Sequence, residues 1–149
     1  MTLAVAAALV PLTVACGTGR ADSGAVSVPQ PGPQPVTGID WRVDSITVGG
    51  TTRHAPAAAT RLRIDEDGKA AGNLGCNQFS ARATVRGDHI TFGSLRTTRM
   101  ACGPERMAFE RALARALTTG TLTARADHAK LTLTDGDGDR IHLTRDAPE

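Results

Sequence analysis

Apolar residues in this chain come in short runs that alternate with polar ones, and most runs stop at a glycine or an Asp-Gly pair. A run of that kind is too short for a buried helix and has the period of a half-buried strand. Residues 60–64 place Leu62 and Ile64 on one face and Arg61 and Arg63 on the other. Asp65-Glu66-Asp67-Gly68 then forms a hairpin turn, because Asp-Gly tolerates positive φ, and a strand over 69–72 follows. Residues 79–85 put Phe79, Ala81, Ala83 and Val85 in phase, Arg86-Gly87-Asp88 turns the chain, and 89–92 align Ile90 with Phe92. Near the C-terminus, 130–134 and 140–144 flank the turn Asp135-Gly136-Asp137-Gly138-Asp139. The first run, 41–48, alternates imperfectly: Trp41 and Val43 share one face, while Ile46 and Val48 fall on the other.

One segment breaks this rhythm. Phe109, Ala112, Leu113, Ala116 and Leu117 recur at helical spacing. Pro104 suits a first turn, Gly103 can precede it and Gly120 can end it, which predicts one main helix over 104–118. Arg106, Glu110, Arg111 and Arg115 are placed mostly off the stripe, on the helix surface. The fold class is therefore α+β: a strongly curved antiparallel sheet, open and barrel-like, packed with that helix. No parallel βαβ rhythm and no internal repeat is present.

Ahead of this domain, Thr2 to Ala15 carry no charge and are too short to span a bilayer as a helix. They fit the apolar core of a signal peptide, although Met1-Thr2 supplies no basic residue. Leu12-Thr13-Val14-Ala15-Cys16 resembles a lipobox, with Thr13 as the departure. Residues 1–15 are thus expected to be removed and Cys16 to take a diacylglycerol, leaving the chain at the extracytoplasmic face of a cell membrane. Without the lipid it would be secreted. Pro29, Pro31, Pro33 and Pro35 exclude helix and ladder and favour an extended spacer, so 16–38 reads as the lipidated Cys plus a tether, and 39–145 as the folded domain.

The chain is 149 residues long with a net charge of +2 and 3% aromatics. Near-neutrality and scarce aromatics exclude both a phosphate-tracking surface and a base-stacking platform, so no nucleic-acid partner is expected. The core must be aliphatic, with Trp41, Phe79, Phe92 and Phe109 at core or motif positions.

Two segments then carry a family signature. Gly72-Asn73-Leu74-Gly75-Cys76-Asn77-Gln78-Phe79-Ser80-Ala81 resembles the G-x-x-G-C-N-x-F/Y-x-G segment of the META domain (HslJ-like) family. Phe92-Gly93-Ser94-Leu95-Arg96-Thr97-Thr98-Arg99-Met100-Ala101-Cys102 is similar to the family's F-x-x-I/L-x-S/T-T-R/K-M-A-C. Order and spacing agree; Ala81 stands where the family usually has Gly, and Gly103-Pro104 shifts the usual Pro by one. The resemblance implies a bent antiparallel sheet holding a helix, akin to secretion pilotins, and an exported or lipid-anchored location. It implies roles in heat-shock response, antibiotic tolerance, secretion or motility, and it supplies no established catalytic activity.

In these motifs Gly72 and Gly75 suggest unusual φ or close backbone approach. Asn77 can cap its own backbone, Thr97 and Thr98 can bond backbone groups, and Arg99 can reach carbonyls or a carboxylate. Together with Phe79 and Met100 they read as a structural lock between the two motif loops, with a ligand groove as the sharper alternative. Cys76 and Cys102 are the cysteines left once Cys16 takes lipid. Outside the cytoplasm they are expected to bond, a loop closure of roughly 3 kcal/mol, and otherwise to stay as buried thiols.

No metal site, cofactor or catalytic residue is expected. Asp135, Asp137 and Asp139 begin like an EF-hand loop, but Arg140 and Asp146 occupy the positions of its Gly and its Glu. The functional expectation is a monomeric, non-enzymatic envelope lipoprotein in stress tolerance. Its alternative is a pilotin-like module binding a peptide or lipid in a groove beside the helix. A hydrolase ranks last, since it would need Asn77, Arg99 and an acid together in an open pocket.

Overall fold

The computed structural model describes residues 34–147; the expected signal peptide, the lipid site Cys16 and most of the tether lie outside them. Ten strands and one helix follow in the order β1 (Asp40–Val48), β2 (Thr51–His54), β3 (Arg61–Ile64), β4 (Lys69–Asn73), β5 (Gln78–Arg86), β6 (His89–Phe92), β7 (Arg96–Thr97), α1 (Pro104–Thr118), β8 (Thr121–Asp127), β9 (Lys130–Thr134) and β10 (Arg140–Arg145). The helix takes the predicted bounds, with Pro104 in its first turn and Gly120 at φ 72° just past its end.

All strand pairs are antiparallel, and the sheet does not stay open as expected. β1 pairs with β10, Trp41 opposite Arg145 and Thr47 opposite Arg140, so the wall closes on itself. Of the ten strands, β2 and β7 hang off the ring, leaving an eight-stranded barrel. The protein is mostly β, and α+β describes it only in the coarse sense of one helix on one antiparallel sheet. Closure follows from β1 reaching three partners along its length: Asp40–Arg42 meet β3, Ser45–Val48 meet β2, and its other side meets β10.

A bulge makes this possible and explains the imperfect pattern of the first strand. The β1–β10 register shifts between Val43 and Ser45. One extra residue changes the phase of the strand. Trp41, Val43 and Ile46 are consequently all buried, although strict alternation would separate Ile46 from the other two.

β2 and β8 were not legible as strands. Thr51-Thr52-Arg53-His54 offers no apolar residue, and β8 turns Leu122, Ala124 and Ala126 inward, a weak strand signal. All four aromatics are buried, among aliphatic residues such as Leu62, Ile64, Leu131 and Ile141. The packing also includes Val36, whose carbonyl accepts the Trp41 indole N–H at 3.0 Å. α1 lays Phe109, Leu113, Ala116 and Leu117 onto the same core, against β6 and β10.

Candidate functional site

The two motif segments meet at the start of α1. Gly72 sits where β4 approaches β3 closely: a Cβ there would lie 1.9 Å from the Arg61 carbonyl oxygen. Gly75 follows at φ 125°, a conformation that side chains rarely adopt, and its N–H donates to Asn73 Oδ1 at 2.7 Å. That turn delivers Cys76 and Asn77 to the segment after β7, and Cys76 is bonded to Cys102.

Asn77 is buried and uses the full capacity of its amide. Its Oδ1 accepts from Thr98 Oγ1 at 2.9 Å and from the Met100 N–H at 2.6 Å. Its Nδ2 donates to the Met100 carbonyl at 3.2 Å and to Glu110 Oε1 at 2.7 Å. Thr98 Oγ1 in turn accepts from the Gln78 N–H at 3.1 Å. Asn77 therefore bridges to the other motif loop and to the helix, and does not cap its own turn.

The third member of this network is Glu110, which sequence reasoning put on the helix surface. It is buried, and its Oε2 accepts the backbone N–H groups of Asn77 at 2.7 Å and Cys76 at 3.2 Å. Its spacing held the signal. Glu110 precedes Leu113 by three and Leu117 by seven, which puts it on the flank of the apolar stripe. Buried carboxylates need partners, and the loop's N–H donors supply them. No buried side-chain N or O among the described residues lacks a hydrogen bond.

The other motif residues divide sharply. Phe79 is buried in the core, and Thr97 pairs with it across β5 and β7. Arg99 is exposed and forms no ion pair or side-chain hydrogen bond among the described residues, and Met100 is 63% exposed. Asn77 and an acid do meet, but Arg99 does not join them and the cluster is buried and saturated. Asp135, Asp137 and Asp139 form a turn: Asp135 Oδ1 accepts the N–H groups of Asp137 and Asp139, both at 2.9 Å.

A separate concavity of about 780 Å³ runs beside α1, under the β1–β2 hairpin and next to that acidic turn. Ala108, Ala112, Ala116 and Ile46 line it, with Arg53, Arg111 and Arg115 around them. A smaller hollow at the helix N-terminus shares Arg53 and Ala108 with it.

These features define a class: a closed antiparallel barrel carrying one helix, with two loops locked by a disulfide and an Asn–Glu network. The META domain model covers residues 34–148, and the chain belongs to the META domain family. Two solved structures share the fold. A protein from Burkholderia xenovorans, solved by NMR, is 24% identical with a TM-score of 0.64, over 76% of this chain and 85% of that one. A second NMR structure is 18% identical with a TM-score of 0.58, over 75% and 92% of the two chains. No curated protein matches the chain.

Proposed function

We propose that this is an exported META-domain lipoprotein, held by a diacylglycerol on Cys16 at the extracytoplasmic face of a cell membrane, with a non-enzymatic part in envelope stress tolerance. The Cys76–Cys102 bond carries the reading, because such bonds persist in oxidising compartments and are rare in the cytosol. The saturated Asn77–Glu110 cluster supports a structural role for the motif: every hydrogen-bonding position of Asn77 is taken by the protein itself.

The test is expression of the full chain in a bacterial host, followed by membrane fractionation and mass measurement of the N-terminal fragment. Wild type should sediment with membranes and carry a diacylglycerol on a new N-terminal Cys16, and C16S should lose both. A wild-type chain that stays in the soluble fraction with an unmodified Cys16 would refute it. A strain lacking the gene should survive heat or envelope-directed antibiotics less well; equal survival removes the stress role.

A second reading is supported by the concavity beside α1. On this reading the domain is an interaction module, similar in use to a pilotin, that holds a partner along the helix.

A further inference from the structure

We propose that the free side of β2 and the facing side of α1 form a docking site for an extended peptide. The peptide adds to β2 as a strand and presents carboxylate side chains. The proposal rests on the second reading above and gives it a partner and a mode of binding.

The hydrogen-bond pattern of the hairpin shows which side of β2 is open. Gly49 and Gly50, at φ 56° and 80°, form a two-residue turn between the partners Val48 and Thr51. Antiparallel partners alternate between bonded and non-bonded pairs. The Ala55 N–H donates to the Asp44 carbonyl at 2.8 Å, so the bonded positions of this segment are 51, 53 and 55. Thr52 and His54 consequently aim their N–H and C=O groups away from β1. Among the described residues none of those groups has a hydrogen-bond partner in the protein. The barrel wall is closed, so β2 overhangs it as an edge whose amides are available. Edges of this kind are templates for strand addition.

The surroundings suit a peptide. Cross-strand neighbours share a face, so a residue paired beside Arg53 points its side chain toward α1, as Arg53 and Ile46 do. There the helix offers the small side chains Ala108 and Ala112. The 15 residues of α1 span about 22 Å, the length of some six or seven extended residues.

Charge selects the partner. Arg53, Arg111 and Arg115 line the trough, and none forms an ion pair among the described residues. Asp135, Asp137 and Asp139 belong to the same lining. Asp135 Oδ1 holds its own turn and Asp139 Oδ1 accepts the Gly49 N–H at 2.9 Å, which leaves Asp137 as the one acid there with no hydrogen bond to its carboxylate among the described residues. Unpaired guanidinium groups over an alanine floor favour carboxylates on the incoming strand.

The experiment selects a displayed library of random heptapeptides on the immobilised full chain, then maps the best binder by amide NMR and hydrogen exchange. Selected sequences should carry Asp or Glu at alternate positions, and the Thr52 and His54 amides should gain protection on binding. R111E/R115E should weaken binding about tenfold or more, while E66Q, which does not line the trough, should leave it unchanged. T52P removes one outward donor at an edge position that tolerates proline, and should abolish protection at His54 while the barrel stays folded. Binding in the trough without protection of Thr52 and His54 overturns strand addition and leaves the second reading standing. Anionic-lipid vesicles that shift the trough residues when no peptide does overturn the peptide alone. No binder of either kind overturns both.

Discussion

Replacing Glu110 should unlock the two motif loops, by an amount that its three accepted hydrogen bonds set. E110A orphans the buried Asn77 N–H outright, and a lost bond to a charged acceptor there costs about 2 kcal/mol. Asn77 Nδ2 also loses its 2.7 Å acceptor but keeps the Met100 carbonyl at 3.2 Å, for about 1.5 kcal/mol more. The Cys76 N–H is half-buried, so water can replace its bond at about 0.5 kcal/mol. The sum is about 4 kcal/mol, or a fall in Tm of roughly 15 °C for a domain of this size. E110Q discriminates the mechanism. Its amide oxygen can serve both backbone donors, but its NH₂ then faces Asn77 Nδ2, donor against donor. Asn77 cannot flip to relieve this, because its Oδ1 already holds Thr98 and Met100. E110Q should therefore lose about 2 kcal/mol, half the effect of E110A. Urea unfolding of the oxidised protein measures both. Equal losses for the two variants, or losses below about 0.5 kcal/mol, would refute the claim that acceptor geometry at Glu110 holds the loops.

Three further outcomes are expected. C76S/C102S, or reduction of the wild type, should cost about 3.5 kcal/mol for the loop closed across a separation of 26, and unchanged urea midpoints would contradict it. G72A should destabilise by at least about 3 kcal/mol, because its Cβ meets backbone that cannot move aside; G93A, whose nearest atom is 3.6 Å away, should stay within about 0.5 kcal/mol. The Asp67 carboxyl is held below its ordinary value, first by the Lys69 backbone N–H and then by the Lys69 side chain. Its folded value is thus the lower one, so its small contribution is fully present above the ordinary value of about 4 and is lost as pH falls below that, through the lower folded value. D67N should be slightly less stable than wild type at neutral pH and equal to it near about pH 2; a gap that persists in acid would exclude the carboxylate as its source.

Much of the barrel was legible because its inner residues announce themselves by period. Leu62 with Ile64, Ile90 with Phe92 and Leu131 with Leu133 each mark a strand, and the apolar stripe of 109–117 marks the helix. What stayed hidden depended on partners far along the chain. β2 exists because β1 runs past the end of β3 and gives four polar residues something to pair with. Closure depends on Trp41 meeting Arg145, which no local pattern encodes. At the motif junction, the residue types pointed to a lock, and Cys76, Asn77 and Thr98 were in view. Glu110 was not, because a carboxylate beside an apolar stripe usually faces water. Only the loop's N–H groups, set more than thirty positions away, make it an interior residue.

The pairing of the first strand with the last also sets the order of events in time. The wall cannot close until residues 140–145 have been synthesised, since β10 is the neighbour that completes β1. A ribosome-bound chain that has not reached residue 140 therefore lacks the seam of its own barrel and has no closed state to fall into. High contact order of this kind makes folding slow and concerted. The same seam that makes the finished domain self-contained leaves the growing chain without a closed wall up to its final strand.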